Sequence, residues 1–189
     1  MGKLTRDDIN NFFHFNINIP GKVLYMGESE GTDHEMAEAV IKGLAVLDSL
    51  NRKKKITIYM NNPGGDEYHG LAIYDAIRSC RSKTSMRVFG HAMSMGAWIL
   101  QASDLRLMST NATLMLHYGT FAYDGHSKNF DKWSKENKRL CKLMEDHLLE
   151  RIKEKHPRYT REALQELIRF DKFLTASEAV DLGLADKVI

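Results

Sequence analysis

The chain has 189 residues, a formal net charge of +2, and a composition of 43% hydrophobic and 28% charged residues. This length can bury a sizeable core in one domain, and the composition is typical of a globular protein. A charge so near neutrality gives no support for nucleic acid or an anionic membrane as a partner. The two cysteines, Cys80 and Cys141, are not grouped with histidines at zinc-like spacing, so neither a disulfide framework nor a metal site is predicted.

The opening of the chain, residues 1–20, is polar and aromatic by turns and ends at the turn signal Pro20-Gly21. We predict that it forms an arm or loop outside the core of one domain that spans residues 21–189. It lacks the apolar segment of a signal peptide, and no apolar run approaches the ~20 residues that span a bilayer. These features predict a protein without a membrane contact, and the cysteine usage favours the cytoplasm.

Strand-like and helix-like segments alternate through the next hundred residues. Short apolar or β-branched runs predict strands, and apolar residues at helical spacing predict helices. The predicted strands are 23–26, 56–60, 86–90 and 112–117, and the predicted helices are 33–50, 67–80 and 94–101. This order predicts an α/β fold with a mostly parallel sheet, whose ligand crevice lies beyond the carboxyl ends of the strands.

The last third of the chain is mostly helical in its pattern. Residues 127–155 are highly charged with a narrow apolar stripe, which predicts a long helix. Such a helix could pack against a copy of itself or lie solvated on a monomer. Further helices are predicted over 160–169 and from Thr175, which begins a capping box with Glu178. Residues 187–189 predict an edge strand.

Two glycine-containing turns follow predicted strands and are candidates for a site. Within Gly90–Gly96, Ser94 begins a helix, where the helix dipole and free N–H groups can stabilise an oxyanion. Within Pro63–Gly65, two glycines let backbone N–H groups point into the crevice. Each turn also has a simpler interpretation, as a serine that caps a helix and as a tight turn without a ligand.

A histidine and an aspartate complete the set of candidate residues. His117 ends a predicted strand, where this type of sheet places its ligands, and Asp171 lies between a predicted helix and a short apolar pair. Alone, the first is equally a structural histidine and the second a surface turn residue. Together with Ser94 and the glycine turn, they supply the nucleophile, base, acid and oxyanion donors of acyl transfer. His69 lies near the glycine turn and His91 near Ser94, so each is an alternative candidate for the general base.

Longer stretches of the sequence resemble the ClpP family of ATP-dependent serine proteases. The matching motifs are Asn62-Pro-Gly-Gly65, Gly70-Leu-Ala-Ile-Tyr-Asp75, Gly90-x-Ala-x-Ser-Met-Gly-Ala97, Leu116-His117, Asp171-Lys-Phe-Leu-Thr-Ala-Ser-Glu-Ala179 and Gly183-Leu-Ala-Asp-Lys-Val-Ile189. The resemblance implies a ClpP/crotonase-like fold of repeated β-β-α units, with a protruding handle helix at about 127–155. It also implies a catalytic triad of Ser94, His117 and Asp171, and an oxyanion hole formed by the N–H groups of Gly65 and Met95.

The function that this resemblance implies is peptide-bond hydrolysis through an acyl-enzyme. Family members form heptameric rings that stack in pairs as a tetradecamer, and an AAA+ unfoldase feeds unfolded protein into the chamber. No cofactor and no metal are expected. The chain departs from the family pattern in the N-terminal arm, in a slightly shorter segment before His117, and at Tyr118-Gly-Thr120, where the family has Gln-Pro and a glycine pair.

Three other functions stay open from the sequence. A crotonase-type acyl-CoA enzyme would share the glycine turn but would use carboxylates and would not need Ser94. A catalytically silent ring subunit would assemble without performing chemistry. A Ser–Lys peptidase would need a lysine such as Lys83, which no feature of its sequence context singles out.

Overall fold

The computed structural model describes residues 4–27, 31–50 and 53–189, so the first three residues of the predicted arm lie outside the described residues. The strands in the described part are β1 (Ile17–Asn18), β2 (Val23–Met26), β3 (Ile56–Asn62), β4 (Thr84–Met93), β5 (Leu105–Met108), β6 (Thr113–Leu116), β7 (Lys172–Thr175) and β8 (Lys187–Val188). The helices there are α1 (Arg6–Phe15), α2 (His34–Ser49), α3 (Glu67–Ser79), α4 (Met95–Leu100), α5 (Phe130–Lys155), α6 (Arg161–Leu167) and α7 (Ala176–Leu182).

The sheet is mostly parallel, as the alternation of strands and helices predicts. β2, β3, β4, β5 and β8 lie side by side and run parallel, and β1 adds an antiparallel edge beside β2. β4 is shared between two neighbours. Its first half pairs with β5, its second half pairs in parallel with β6, and β7 pairs antiparallel with β6. The second half of β4 therefore starts a separate branch of the sheet.

The core lies between the sheet and the helices that cover it. Along β3 the side chains alternate, and Ile56, Ile58 and Met60 are completely buried. α2 buries Val40, Leu44 and Leu47. These are three of the apolar residues whose helical spacing predicts a helix over 33–50. Each such side chain stabilises the fold by roughly 1.5–3 kcal/mol through burial alone.

The predicted arm contains ordered elements. α1 begins at a capping box between Thr5 and Asp8, and none of its residues is buried. β1 then joins the sheet edge beside β2. The prediction of an arm or loop missed this helix, although Ile9, Phe12 and Phe13 recur at helical spacing.

The long helix predicted over 127–155 is present as a 3₁₀ turn, Ser127–Asn129, followed by α5. All of its buried residues lie from Leu140 onward. Phe130 and Trp133 near its start are 52% and 46% exposed. The second half of α5 packs against α4 and α6, whereas its start stays largely exposed.

Candidate active site

Ser94 sits between β4 and α4 in a strained turn. Its backbone has φ 51° and ψ −120°, a region that residues with a side chain rarely adopt. Its hydroxyl makes no capping hydrogen bond to α4, so the simpler interpretation as a helix-capping serine is wrong. Its N–H donates to the carbonyl of Met115 on β6 at 2.9 Å. The turn therefore holds the hydroxyl at the carboxyl end of the sheet.

His117 directly follows β6, the strand that pairs with the second half of β4. In that pairing Met93 lies opposite Met115, so the residues that follow the two strands are neighbours. Nε2 of His117 lies 2.8 Å from Oγ of Ser94. This is hydrogen-bonding distance, and it is the geometry that a general base needs with a serine nucleophile.

Asp171 reaches His117 through the antiparallel pairing of β7 with β6. Leu116 lies opposite Lys172 in this antiparallel ladder, which places His117, the residue after β6, beside Asp171, the residue before β7. Oδ1 of Asp171 lies 3.1 Å from Nδ1 of His117. The aspartate side chain is 61% exposed and the histidine side chain 25% exposed, so water shares this contact.

The glycine turn packs directly against the backbone of Ser94. A Cβ atom on Gly64 would lie 2.7 Å from Cβ of Ser94, 2.8 Å from the carbonyl oxygen of Met93 and 2.9 Å from the N atom of Met95. Gly64 also has φ 97°, which favours glycine. The close approach brings Gly65 to the same cavity as Ser94 and Met95.

Asn62 holds the glycine turn in place. It is completely buried, and its Oδ1 accepts hydrogen bonds from the N–H of Gly64 at 2.9 Å and from the hydroxyl of Thr32 at 3.0 Å. Thr32 also pairs with Gly65 in a short parallel bridge, and its carbonyl accepts the N–H of Asp66. The sequence motif draws attention to the glycines, and the role of Asn62 follows only from these contacts.

A cavity of about 390 Å³ opens beside Ser94. Its described lining combines the three loops of the site with side chains of α3, α4 and α5: Gly65, Asp66, Glu67, Tyr68, Ser94, Met95, Trp98, His117, Tyr118, Gly119, Thr120 and Met144. Clefts of this size beside a polar cluster are typical of substrate sites.

Two hydrogen-bonded contacts fix the lining of this cavity. The Tyr118 hydroxyl donates to Oε1 of Glu145 at 2.7 Å, and Glu145 also accepts from Arg161 at 2.6 Å. Burial, and the bond to Glu145, raise the pKa of the Tyr118 phenol, so it stays neutral. Nε1 of Trp98 donates to Nδ1 of His147 at 2.8 Å, and burial lowers the pKa of that imidazole.

The other candidates from the sequence lie elsewhere in the fold. His69 is in α3, where its ring contacts that of His34, and His91 lies within β4. Lys83 forms an exposed ion pair with Asp104 at 2.7 Å. It precedes β4 whereas Ser94 follows it, and ten residues of strand span roughly 33 Å. A Ser94–Lys83 dyad is therefore ruled out by distance.

Two further properties bear on the class of protein. Among residues 4–27, 31–50 and 53–189, no group of three or more histidine, cysteine, aspartate or glutamate side chains is arranged to hold a metal ion. Within the same residues, no helix is long and apolar enough to cross a membrane.

Similarities to known proteins agree with the geometry of this site. The family model described as Clp protease matches residues 22–189. Over 170 residues the chain is 33% identical to the ATP-dependent Clp protease proteolytic subunit of Deinococcus radiodurans, a region that covers 89% of this chain and 80% of that protein. The family match includes Ser94, His117 and Asp171, as well as the glycine turn.

Proposed function

The chain belongs to the Clp protease family and is a serine-type peptidase, and we propose that Ser94, His117 and Asp171 are its catalytic triad. One observation carries this proposal. A continuous hydrogen-bonded chain runs from Oγ of Ser94 through both ring nitrogens of His117 to the carboxylate of Asp171. Hydroxyl, imidazole and carboxylate in this order are the groups that acyl transfer through a serine requires.

The proposed reaction is peptide-bond hydrolysis through an acyl-enzyme. Nε2 of His117 accepts the proton of the Ser94 hydroxyl as Oγ attacks the carbonyl carbon of the peptide. The resulting imidazolium then gives its proton to the leaving amine, and the acyl-enzyme forms. In the second half of the reaction, water attacks the ester carbonyl while Nε2 of His117 accepts its proton. His117 then gives that proton to Oγ of Ser94 as the bond to the acyl group breaks, which releases the carboxylic acid product.

Asp171 acts by orienting the base. Its carboxylate accepts the hydrogen on Nδ1 of His117, which leaves the lone pair of Nε2 directed at Ser94. It also stabilises the imidazolium that forms during the reaction. Because the carboxylate is 61% exposed, water screens this charge interaction, and orientation is its larger contribution.

The oxyanion donors in this proposal are the N–H groups of Gly65 and Met95. In the described part of the chain, neither N–H donates a hydrogen bond to a backbone or side-chain acceptor. Both residues line the cavity beside Ser94, where the developing negative charge would form. One such donor contributes typically about 3 kcal/mol of transition-state stabilisation.

We further propose that the chain works as a ring. The relative in Deinococcus radiodurans is named a proteolytic subunit of an ATP-dependent protease. In the proposed assembly, seven subunits form a ring, two rings stack through the first half of α5, and an AAA+ unfoldase in the cytoplasm supplies unfolded protein. Phe130 and Trp133 are exposed on α5, and the aromatic ring of Tyr123 packs against both side chains. Together they form an apolar surface that could make such a contact between subunits.

Labelling with a fluorophosphonate tests the triad. Mass spectrometry should locate the label on Ser94, and Ser94→Ala should lose both the label and at least about a thousandfold of peptide turnover. Ser177→Ala is the matched control, because Ser177 is an exposed serine of α7. Normal peptide turnover by Ser94→Ala would contradict the proposal. A crotonase-type enzyme would cleave no peptide in either form, and its turnover of acyl-CoA would be unchanged by Ser94→Ala.

Native mass spectrometry of the same samples tests the assembly. The expected species has fourteen subunits in both the wild type and Ser94→Ala. Rings that assemble while Ser94 stays unlabelled would identify a catalytically silent subunit, and a monomer at micromolar concentration would contradict the proposed role of α5. Neither the crotonase-type nor the silent alternative is favoured by the family match.

A further inference from the structure

The cavity beside Ser94 is suited to a long side chain with an apolar stem. Met95, Trp98 and Met144 contribute apolar surface to its wall. Met144 comes from α5, so the cavity extends from the end of β4 towards that helix. A substrate residue placed here would pack its methylene groups against thioethers and an indole ring, which are adaptable and strongly apolar partners.

The same cavity carries negative charge. Two carboxylates, Asp66 and Glu67, belong to its described lining, and no lysine or arginine does. Asp66 is engaged, because its Oδ1 accepts the N–H of His69 at 2.9 Å and caps α3. Glu67 makes no hydrogen bond or ion pair in the described part of the chain. Its carboxylate thus belongs to the same cavity as the proposed nucleophile and has no ion-pair partner among the described residues.

Glu67 is held in an environment that disfavours its charge. The residue is partly buried, and burial raises the pKa of its carboxyl, with a further increase from the neighbouring Asp66. Its place in the first turn of α3 gives it some compensation from the helix dipole. A positively charged group brought into the cavity would relieve the remaining cost, whereas an apolar group would increase it.

We propose that this cavity is the primary specificity pocket and that Glu67 selects substrates with arginine or lysine immediately before the scissile bond. This inference rests on the proposed function and names its substrate class. The aliphatic stem of the basic residue packs on Met95, Trp98 and Met144, and its cationic head pairs with Glu67. A leucine in the same place would leave the carboxylate desolvated and unpaired, and a glutamate would meet a like charge.

The discriminating measurement is kcat/KM for three short peptides with a coumarin leaving group. They differ only in the residue before the scissile bond, which is arginine, leucine or glutamate. The expected order for the wild type is arginine, then leucine, then glutamate. Glu67→Gln, which has nearly the same shape, should lower the ratio of arginine to leucine at least tenfold. Glu67→Lys should favour the glutamate peptide over the arginine peptide.

The matched control is Glu35→Gln. Glu35 also lies in the first turn of a helix, α2, but it is exposed and does not line the cavity. The ratio of arginine to leucine should stay within twofold of the wild type in this variant. A loss of preference in both variants would show that helix N-terminal charge in general matters, and would overturn the assignment to Glu67.

A second measurement uses the wild type alone, in case the Glu67 variants fail to assemble. Peptide aldehydes ending in arginine or leucine compete with the fluorophosphonate for Ser94, and the arginine aldehyde should protect at a concentration at least tenfold lower. Equal protection, together with equal turnover of the two peptides, would overturn the specificity inference and leave the proposed function standing. An unlabelled Ser94 with no cleavage of any peptide would overturn both.

Discussion

The two sides of the cavity are built in different ways. The strand side consists of the residues that follow β4 and β6, the residue before β7, and the glycine turn after β3. The helix side consists of the first turn of α3 together with α4 and α5. Backbone pairing positions the strand side, whereas contacts between side chains position the helix side. Under the two proposals above, the strand side carries the chemistry and the helix side carries the selectivity.

On the strand side, the sheet ladders bring the reacting groups together. The pairing of β4 with β6 makes Ser94 and His117 neighbours, and the pairing of β6 with β7 puts Asp171 beside His117. A slip of one residue in either ladder would turn these side chains to the opposite face. The relative positions of the three residues of the proposed triad are therefore set by the sheet itself.

On the helix side, single side-chain contacts decide the shape of the cavity. Trp98 is held by His147 of α5, and Tyr118 by Glu145 of the same helix. These contacts can be removed one at a time, and one of them involves a titratable group, the imidazole of His147. We therefore expect strand-side substitutions to abolish activity and helix-side substitutions to adjust it.

The largest effect in this comparison is expected for Gly64→Ala on the strand side. The new Cβ would lie within 3 Å of Cβ of Ser94, the carbonyl oxygen of Met93 and the N atom of Met95. Backbone and Cβ atoms cannot move aside as a flexible side chain would, so the turn that carries Ser94 must shift. We expect at least a hundredfold loss of kcat/KM and about 3 kcal/mol of destabilisation, measured by peptide turnover and chemical denaturation.

Gly119→Ala separates steric overlap from backbone strain in this test. Gly119 also has a positive φ, of 76°, but the nearest atom to a Cβ placed there, beyond the adjacent residues, would be Nε2 of His117 at 4.0 Å. The expected destabilisation is only the backbone strain of about 1–2 kcal/mol. Equal destabilisation by the two alanines would contradict the view that close packing against Ser94 defines the strand side.

Much of this architecture follows from local sequence patterns. The strands 23–26 and 56–60, the helix 33–50 and the capping box at Thr175 all appear in the structure at or near the predicted bounds. Period and capping are local signals, so one sequence suffices to detect them. The predicted strand 86–90 is longer in the structure, because β4 continues past Gly90 through a second ladder with β6.

Two of the strands that the sequence missed depend on distant partners. β5 and β7 were not predicted, and β7 is a four-residue strand whose alternation is too short to identify. Its pairing with β6 spans more than fifty residues, yet that pairing is what places Asp171. The residues of the triad were predicted through family resemblance, whereas the contacts of Asn62 and Glu145 could be found only in three dimensions.

An intermediate effect is expected for Glu145→Ala on the helix side. Glu145 is 5% exposed and accepts hydrogen bonds from Tyr118, Arg161 and Gln165. Its loss leaves the Tyr118 hydroxyl without its acceptor, although Arg161 keeps a second partner in Asp146. We expect about 2 kcal/mol of destabilisation in chemical denaturation, with a change in KM that exceeds the change in kcat.

Glu150→Ala is the control for this variant. Glu150 lies on the same helix but is exposed, so its removal should change the free energy of unfolding by less than about 0.5 kcal/mol. A kcat that falls as strongly for Glu145→Ala as for Gly64→Ala would contradict the separation of the two sides, because it would place a helix-side contact in the chemical step.

The smallest effect is a pH dependence of stability that arises from His147. Its ring stacks on Tyr74 at 4.4 Å and accepts the Trp98 N–H through Nδ1, so the folded state requires the neutral imidazole. Burial lowers its pKa below the ordinary value of 6.5, which the unfolded chain keeps. The unfolded state therefore binds more protons below pH 6.5, and stability falls as the pH falls through that range.

Between pH 7.5 and 5.5 the wild type should lose about 1 kcal/mol more of its free energy of unfolding than His147→Gln, whose amide oxygen can still accept from Trp98 but does not titrate. If the two proteins gave parallel curves of unfolding free energy against pH, the protonation of His147 would not affect stability. The contact between His147 and Trp98 would then not depend on the neutral imidazole.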